Sequence, residues 1–175
     1  LVPPIAAGID IPFTVGGGIP SADDAGRLLD AGADKITLNS AAVADPSLID
    51  AVAAKYGSQF VTVAIDARRI DGRWRVTTHG GRRLTDRELF AWAEEACRRG
   101  AGEILFTSMD HDGTRGGYPC DTFAQLSLLP VPVIASGGAG SVQHIADVLT
   151  LGRADAALAA SIFHYGEIPI PVLKR

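Results

Sequence analysis

Glycine-rich loops follow two short apolar runs in this chain, and their composition is typical of sites that bind anions. Gly16-Gly17-Gly18 follows the first run, and Ser136-Gly137-Gly138-Ala139-Gly140 follows a later one. Glycine lets backbone N–H groups approach an anion closely at the start of a helix. Asn39-Ser40 and Ala160-Ser161 end the next runs and add hydroxyl groups. Each loop with its neighbouring pair is a candidate phosphate cup, here called the first and the second cup. Glycine in a tight turn is the alternative, but two related cups favour a ligand with a phosphate at each end.

A single aspartate closes an apolar run between the two cups. Asp66 directly follows the buried run of residues 61–65. A carboxylate at the end of a buried strand is costly to desolvate unless it is paired or used in chemistry. Asp66 is therefore the leading candidate for proton transfer. A salt bridge to Arg68 or Arg69 is the structural alternative.

Polar residues also crowd the segment that follows the next apolar run. They are Thr107, Ser108, Asp110, Asp112 and Gly113. The two spaced aspartates could instead stabilise the loop, and Asp112-Gly113 could be only a turn. No histidine or third carboxylate stands at a spacing that would complete a metal site, so we predict no metal.

Six short apolar runs alternate with longer amphipathic stretches, a pattern typical of repeated βα units and a parallel α/β sheet. Helices are expected to begin near Ser21, Pro46, Thr85, Asp121 and Ser141. Asp71-Gly72 is a hairpin signal, so a two-stranded flap is expected before the helix at Thr85. The predicted strands are Phe13–Val15, Lys35–Leu38, Phe60–Ile65, Glu103–Thr107, Val131–Ala135 and Ala156–Ala159.

The two cups belong to an internal repeat of about 120 residues. Ala33-Asp34 recurs as Ala154-Asp155, and Ser40 recurs as Ser161. Two similar halves indicate a (βα)8 barrel with approximate two-fold symmetry. The first unit then corresponds to the seventh, so the 175 residues are expected to form one partial barrel domain containing the third to eighth units. The first two units and the end of the last helix are expected to lie outside it.

The overall composition narrows the class of protein further. The net charge of −4 gives no reason to expect nucleic acid as a partner. No apolar run is long enough for a membrane span, and Cys97 and Cys120 lack metal-ligand spacing. We predict a cytoplasmic protein with reduced thiols.

Lys35 and Glu103 begin strands, where buried charge requires either pairing or a function.

Seven motifs in order resemble the cyclase subunits of imidazole glycerol phosphate synthase, a family of histidine biosynthesis, over nearly the whole chain. They are Val15-Gly16-Gly17-Gly18-Ile19, Gly32-Ala33-Asp34-Lys35 with Asn39, Ala64-Ile65-Asp66-Ala67, Gly102-Glu103-Ile104-Leu105 with Thr107-Ser108, Asp112-Gly113-Thr114, Ser136-Gly137-Gly138-Ala139-Gly140 and Ala159-Ala160-Ser161-Ile162-Phe163-His164.

The resemblance implies a cyclase that needs no cofactor. It would join ammonia from a glutaminase partner to a doubly phosphorylated formimino ribonucleotide, giving imidazole glycerol phosphate and an aminoimidazole carboxamide ribotide. Asp66 matches one of the family's two acid/base aspartates. The other belongs to the first barrel strand, upstream of this sequence, so the 175-residue chain alone is expected to be inactive.

The resemblance also implies roles for other residues. Thr107 and Ser136 would contact the middle of the ligand, and Ser40 stands where the family commonly has threonine. Lys35 and Glu103 would form a charged gate for ammonia, with Asp34 and Gln59 facing the glutaminase. The phosphate-binding residues would be Gly18, Asn39 and Ser40 in the first cup, and Asp112, Gly113, Gly137, Gly138, Ala160 and Ser161 in the second.

Two other functions fit part of the pattern. The phosphoribosyl isomerase of the same pathway shares the barrel and two phosphate cups, although residues 136–140 and 160–164 are more similar to the cyclase. A partial barrel that binds phosphate ligands without turnover is the second alternative.

Overall fold

Six parallel strands form the frame of the molecule in the computed structural model, which describes residues 1–174. Their order across the sheet is β1-β2-β3-β6-β7-β8, and each pairs in parallel with the next. Two further strands, β4 and β5, pair antiparallel beside β3. The strands are β1 (Thr14–Gly16), β2 (Lys35–Leu38), β3 (Val61–Ile70), β4 (Arg73–Thr78), β5 (Arg83–Glu88), β6 (Glu103–Ser108), β7 (Val133–Ser136) and β8 (Ala156–Ala157).

Helices connect successive parallel strands and bury the outer face of the sheet. Phe106 of β6 shows the packing: it is fully buried and contacts Phe123 with 5.2 Å between ring centroids. This helix-covered face carries much of the core, whereas Leu105 and Thr107 face the other side and are half-buried. The helices are α1 (Val2–Ala6), α2 (Ala22–Asp30), α3 (Ser40–Ala44), α4 (Ser47–Tyr56), α5 (Leu89–Arg98), α6 (Cys120–Leu126), α7 (Val142–Thr150), α8 (Ser161–His164) and α9 (Ile170–Leu173).

The prediction of a two-stranded flap followed by a helix at Thr85 is wrong. The flap has three strands: the end of β3, then β4, then β5, which contains Thr85. The Thr85 hydroxyl donates to the carbonyl of Val76 at 2.8 Å, so it serves the flap rather than a helix cap. Glu88 is the cap instead, because its carboxylate accepts the N–H groups of Phe90 and Ala91 at 3.0 and 3.1 Å.

Other boundaries differ by smaller amounts. Strand β3 runs on to Ile70 because its end belongs to the flap, and β8 is shorter than predicted. Short helix α3, which begins at Ser40, was not predicted. Helices α2, α4, α6 and α7 begin within one residue of their expected positions.

The internal repeat is present in the structure as repeated local contacts. Ser21 and Ser141 each cap a helix by accepting the N–H three residues further on, both at 3.2 Å. Asp34 accepts the backbone N–H of Phe13, just before β1, at 2.7 Å. Asp155 accepts the backbone N–H of Val133, the first residue of β7, at 2.8 Å. Equivalent residues thus stabilise equivalent turns in both halves, as expected for related βα units.

Candidate active site

Three polar side chains form a row across the C-terminal ends of the central strands. Asp66 on β3 is in register with Thr107 on β6, and Thr107 is in register with Ser136 on β7. Paired residues of neighbouring parallel strands point to the same face of the sheet. The active site of a βα barrel lies at this end of the strands, so the row occupies the position where substrate would bind.

Asp66 lies in a partly buried environment that disfavours its charged form. Burial raises the pKa of its carboxyl group above the ordinary value, and the negative charge of Asp112 adds to this effect. Hydrogen bonds from Asn39 and Thr107 act in the opposite direction on the pKa. The Asn39 side-chain N–H donates to Asp66 at 3.0 Å. The site therefore holds a carboxyl group suited to accept and return a proton.

The alternative role for Asp66, a salt bridge to a neighbouring arginine, is wrong within residues 1–174. Arg68 donates to the carbonyl oxygen of Gly81 at 3.0 Å. The guanidinium of Arg69 lies over the Trp74 ring, 5.1 Å from its centroid. Both arginines therefore have flap partners, and Asp66 faces the candidate site.

We expect Asp66→Asn to raise the stability of the chain at neutral pH. Because the pKa of Asp66 is raised on folding, the folded chain binds more protons than the unfolded chain between the two pKa values. The stability of the folded chain therefore falls as pH rises through that interval. Asparagine does not ionise, so the substitution removes this loss of stability. Thermal unfolding at pH 7 and at pH 3 tests this: the variant should unfold at a higher temperature at pH 7, and the difference should narrow at pH 3. A variant that is less stable at pH 7 would contradict it.

The first cup lies between the loop after β1 and the start of α3. Its cavity of about 540 Å³ contains all three predicted residues, Gly18, Asn39 and Ser40. Gly18 has φ of 66°, a conformation that favours glycine. The Ser40 hydroxyl oxygen accepts the N–H of His79 in the flap at 3.0 Å. The hydroxyl hydrogen of Ser40 remains available to donate to a phosphate oxygen.

The second cup lies between the loops after β6, β7 and β8, around a cavity of about 240 Å³. Gly137 and Gly138 have φ of 90° and 116°. A side chain at Gly138 would collide with the carbonyl oxygen of Gly117. The backbone N–H of Gly117 donates to the carbonyl of Gly138 at 2.8 Å. The cavity contains every residue predicted for this phosphate together with Ser136: Asp112, Gly113, Ser136, Gly137, Gly138, Ala160 and Ser161.

The predicted gate residues lie at the opposite end of the strands. Lys35 and Glu103 form an ion pair, and Glu103 also accepts the hydroxyl of Thr62 at 2.9 Å. Asp34 and Gln59 are exposed at the same end. The candidate active site at the strand C-termini and the ion pair of Lys35 and Glu103 at the strand N-termini are therefore separated by the length of the strands.

We expect Lys35 and Glu103 to be energetically coupled. Both side chains are largely shielded from solvent, 31% and 18% exposed, so Lys35→Met leaves a partly buried carboxylate without its cation. In a double-mutant cycle with Glu103→Gln, urea unfolding should give a coupling of about 1 kcal/mol. The exposed pair of Lys55 and Asp23 is the matched control and should show much weaker coupling. Equal coupling in both pairs would contradict the prediction.

Two contacts in the site were not predicted from the sequence. Asn39, expected only as a phosphate ligand, also contacts the carboxylate of Asp66. Arg115 lines the second cup, although it lies in a loop without periodic pattern. A basic residue followed by Gly116-Gly117 was the available signal.

Within residues 1–174, no group of three His, Cys, Asp or Glu side chains is placed to hold a metal, and no helix is long and apolar enough to cross a membrane.

The parallel βα units define a partial (βα)8 barrel, and the predicted fold is confirmed. The sequence pattern of the family described as "Histidine biosynthesis protein" matches residues 1–169, and the chain belongs to that family.

Relatives of known name agree with this assignment. The imidazole glycerol phosphate synthase subunit HisF of Bacteroides fragilis strain YCH46 is 58% identical over 175 residues, covering 99% of this chain and 70% of that protein. The protein of the same name from Flavobacterium johnsoniae is 56% identical over 176 residues, covering 100% of this chain and 70% of the relative. That from Phocaeicola vulgatus is 55% identical over 176 residues, with the same two coverages. The predicted resemblance to this subunit is confirmed.

Proposed function

We propose that this chain provides the cyclase site of an imidazole glycerol phosphate synthase. Its substrate would be a formimino ribonucleotide with a phosphate at each end, and its second substrate ammonia. The observation that carries the proposal is the placement of Asp66. Strand β3 lies between β1 and β2, which form the first cup, and β7 and β8, which form the second.

In the proposed reaction Asp66 transfers protons during ammonia addition and ring closure. Its raised pKa supports this role, because proton transfer is most efficient when the pKa of the group approaches the working pH. Asn39 holds the carboxylate in place through its hydrogen bond of 3.0 Å. Thr107 and Ser136, in the same row, would contact the middle of the substrate.

The two cups would hold the substrate at its ends. Backbone N–H groups of the glycine loops and the hydroxyls of Ser40 and Ser161 are the donors that a phosphate requires. Holding both ends restricts the substrate to one orientation, with its reacting centre beside Asp66. Orientation of this kind is a large part of catalysis in many enzymes.

The opposite end of the strands would receive ammonia from a glutaminase subunit. The name "subunit" in the relatives supports such a partner. Lys35 and Glu103 would form the charged gate at the entrance to the barrel interior. Asp34 and Gln59, which are exposed beside it, would contact the glutaminase.

The phosphate cups can be tested in this chain directly. Titration with inorganic phosphate, followed by NMR of the backbone amides, should shift Gly18 and Ser40 in one group and Gly138 and Ser161 in another. Gly100 and Gly102, which precede β6 at the other end of the strands, should stay unchanged. Shifts confined to one group, or spread evenly over the chain, would contradict a ligand with two phosphates.

A further inference from the structure

The second cup contains one cation, and its charge has no role in the proposed reaction. Arg115 lines the cavity beside Asp112, Gly138 and Ser161. Among the lining residues of both cups, all within residues 1–174, Arg115 alone carries a positive charge. A phosphate monoester carries about −1.5 to −2 charges at neutral pH, and Asp112 adds a further carboxylate. A compensating cation is therefore needed at this cup more than at the first.

The backbone of Arg115 is fixed against the glycine loop of the second cup. Its carbonyl oxygen lies so close to Gly140 that any side chain there would collide with it. Two residues further on, the Gly117 N–H donates to the Gly138 carbonyl at 2.8 Å. Arg115 itself has φ of 61°, in the left-handed region. The backbone of Arg115 is therefore held at the edge of the cavity, and its side chain begins from a fixed position.

The guanidinium of Arg115 forms an ion pair with Glu167, which follows α8. Because β7 lies between β6 and β8, this pair joins the segments on either side of the β7 glycine loop. The two side chains are 46% and 40% exposed. Exposed ion pairs of this kind contribute little to stability, so Arg115 can exchange one anionic partner for another at small cost.

We propose that Arg115 binds the phosphate of the second cup and that Glu167 competes with this phosphate for the guanidinium. The inference rests on the proposed phosphate-binding function of the cup. Binding exchanges a carboxylate partner for a phosphate, which arginine can bind through two parallel hydrogen bonds. Glu167 then sets the phosphate affinity by holding the guanidinium when the cup is empty.

The proposal predicts opposite effects for the two members of the ion pair. In NMR titrations with inorganic phosphate, Arg115→Ala should raise the Kd measured at Gly138 and Ser161 by about ten-fold, the size expected for a lost charge-assisted contact. Glu167→Gln should lower the same Kd by about three-fold, since a competing anion is removed. The double variant should match Arg115→Ala alone. The Kd at the first cup should not change.

Arg153→Ala is the matched control. Arg153 is exposed and has φ of 55°, but it precedes β8 and so lies at the other end of the strands. Its replacement should leave phosphate binding unchanged. Arg115→Gln provides a second variant in case alanine disturbs the loop, and thermal unfolding shows whether each variant folds.

Two results would overturn the inference while the cup itself stands. In the first, Gly138 and Ser161 respond to phosphate equally well with and without Arg115. In the second, Glu167→Gln weakens binding as Arg115→Ala does, which is the result expected of a purely structural ion pair. If these amides do not respond in the unsubstituted chain, the cup fails and the inference fails with it.

Discussion

Asp66→Asn should lower the rate of ammonia-dependent cyclisation by about 100-fold to 10,000-fold, the range for loss of a general acid or base. The assay uses the chain extended to the length of its relatives, of which it covers 70%. Asparagine keeps the size and the hydrogen bond with Asn39 but cannot accept and return a proton. Steady-state kinetics should show the loss in kcat, with KM nearly unchanged, since the phosphates are bound elsewhere.

Asp110→Asn is the matched control for this loss. Asp110 lies in the loop that follows β6, close to the same end of the strands. Its carboxylate accepts the N–H of Arg69 at 2.8 Å, and the amide oxygen of asparagine can accept the same hydrogen bond. This variant should retain most of the activity. If Asp66→Asn kept more than about a tenth of the rate, proton transfer by Asp66 would be wrong. The expected gain in stability of Asp66→Asn separates loss of chemistry from loss of fold.

Gly138→Ala should destabilise the fold by at least about 3 kcal/mol and abolish phosphate binding at the second cup. Two effects add: Gly138 has φ of 116°, which L-residues rarely adopt, and a Cβ would collide with the Gly117 carbonyl. Backbone cannot move aside as a flexible side chain can, so the two loops must separate. Urea unfolding measures the first effect, and the NMR titration with inorganic phosphate measures the second.

Gly166→Ala separates strain from collision. Gly166 has φ of 68°, and a Cβ added there would meet no heavy atom within 4 Å. Alanine there should lower the free energy of unfolding by only about 1 kcal/mol, the cost of a left-handed L-residue. If both variants were destabilised equally, close approach of the backbones at Gly138 would not be the cause.

The glycine loops and Asp66 could be predicted because their signals are local. A glycine at a strand end, or a carboxylate after a buried run, is constrained by its own position in the βα unit. The (βα)8 fold followed from the repeat, and the same caps recur at Ser21 and Ser141. These features depend on short segments that behave alike in both halves of the chain.

The unpredicted features depend on how distant segments meet. The contact between Asn39 and Asp66 requires the register of β2 against β3, which no short pattern in the sequence contains. Thr85 and Glu88 are both suitable residue types for the N-cap of α5. Because β5 pairs with β4 and includes Thr85, the helix begins only after Glu88. Arg115 reaches the second cup because of contacts with Gly140, a residue from another unit.

Ammonia-dependent product formation by the chain extended to the length of its relatives tests the central claim most directly. With the formimino ribonucleotide and ammonium salt, and with no glutaminase present, we expect imidazole glycerol phosphate and the carboxamide ribotide in equal amounts. Without ammonium, neither product should form. Ammonia-independent isomerisation of a phosphoribosyl substrate with no cyclisation would contradict the account and favour the isomerase of the same pathway.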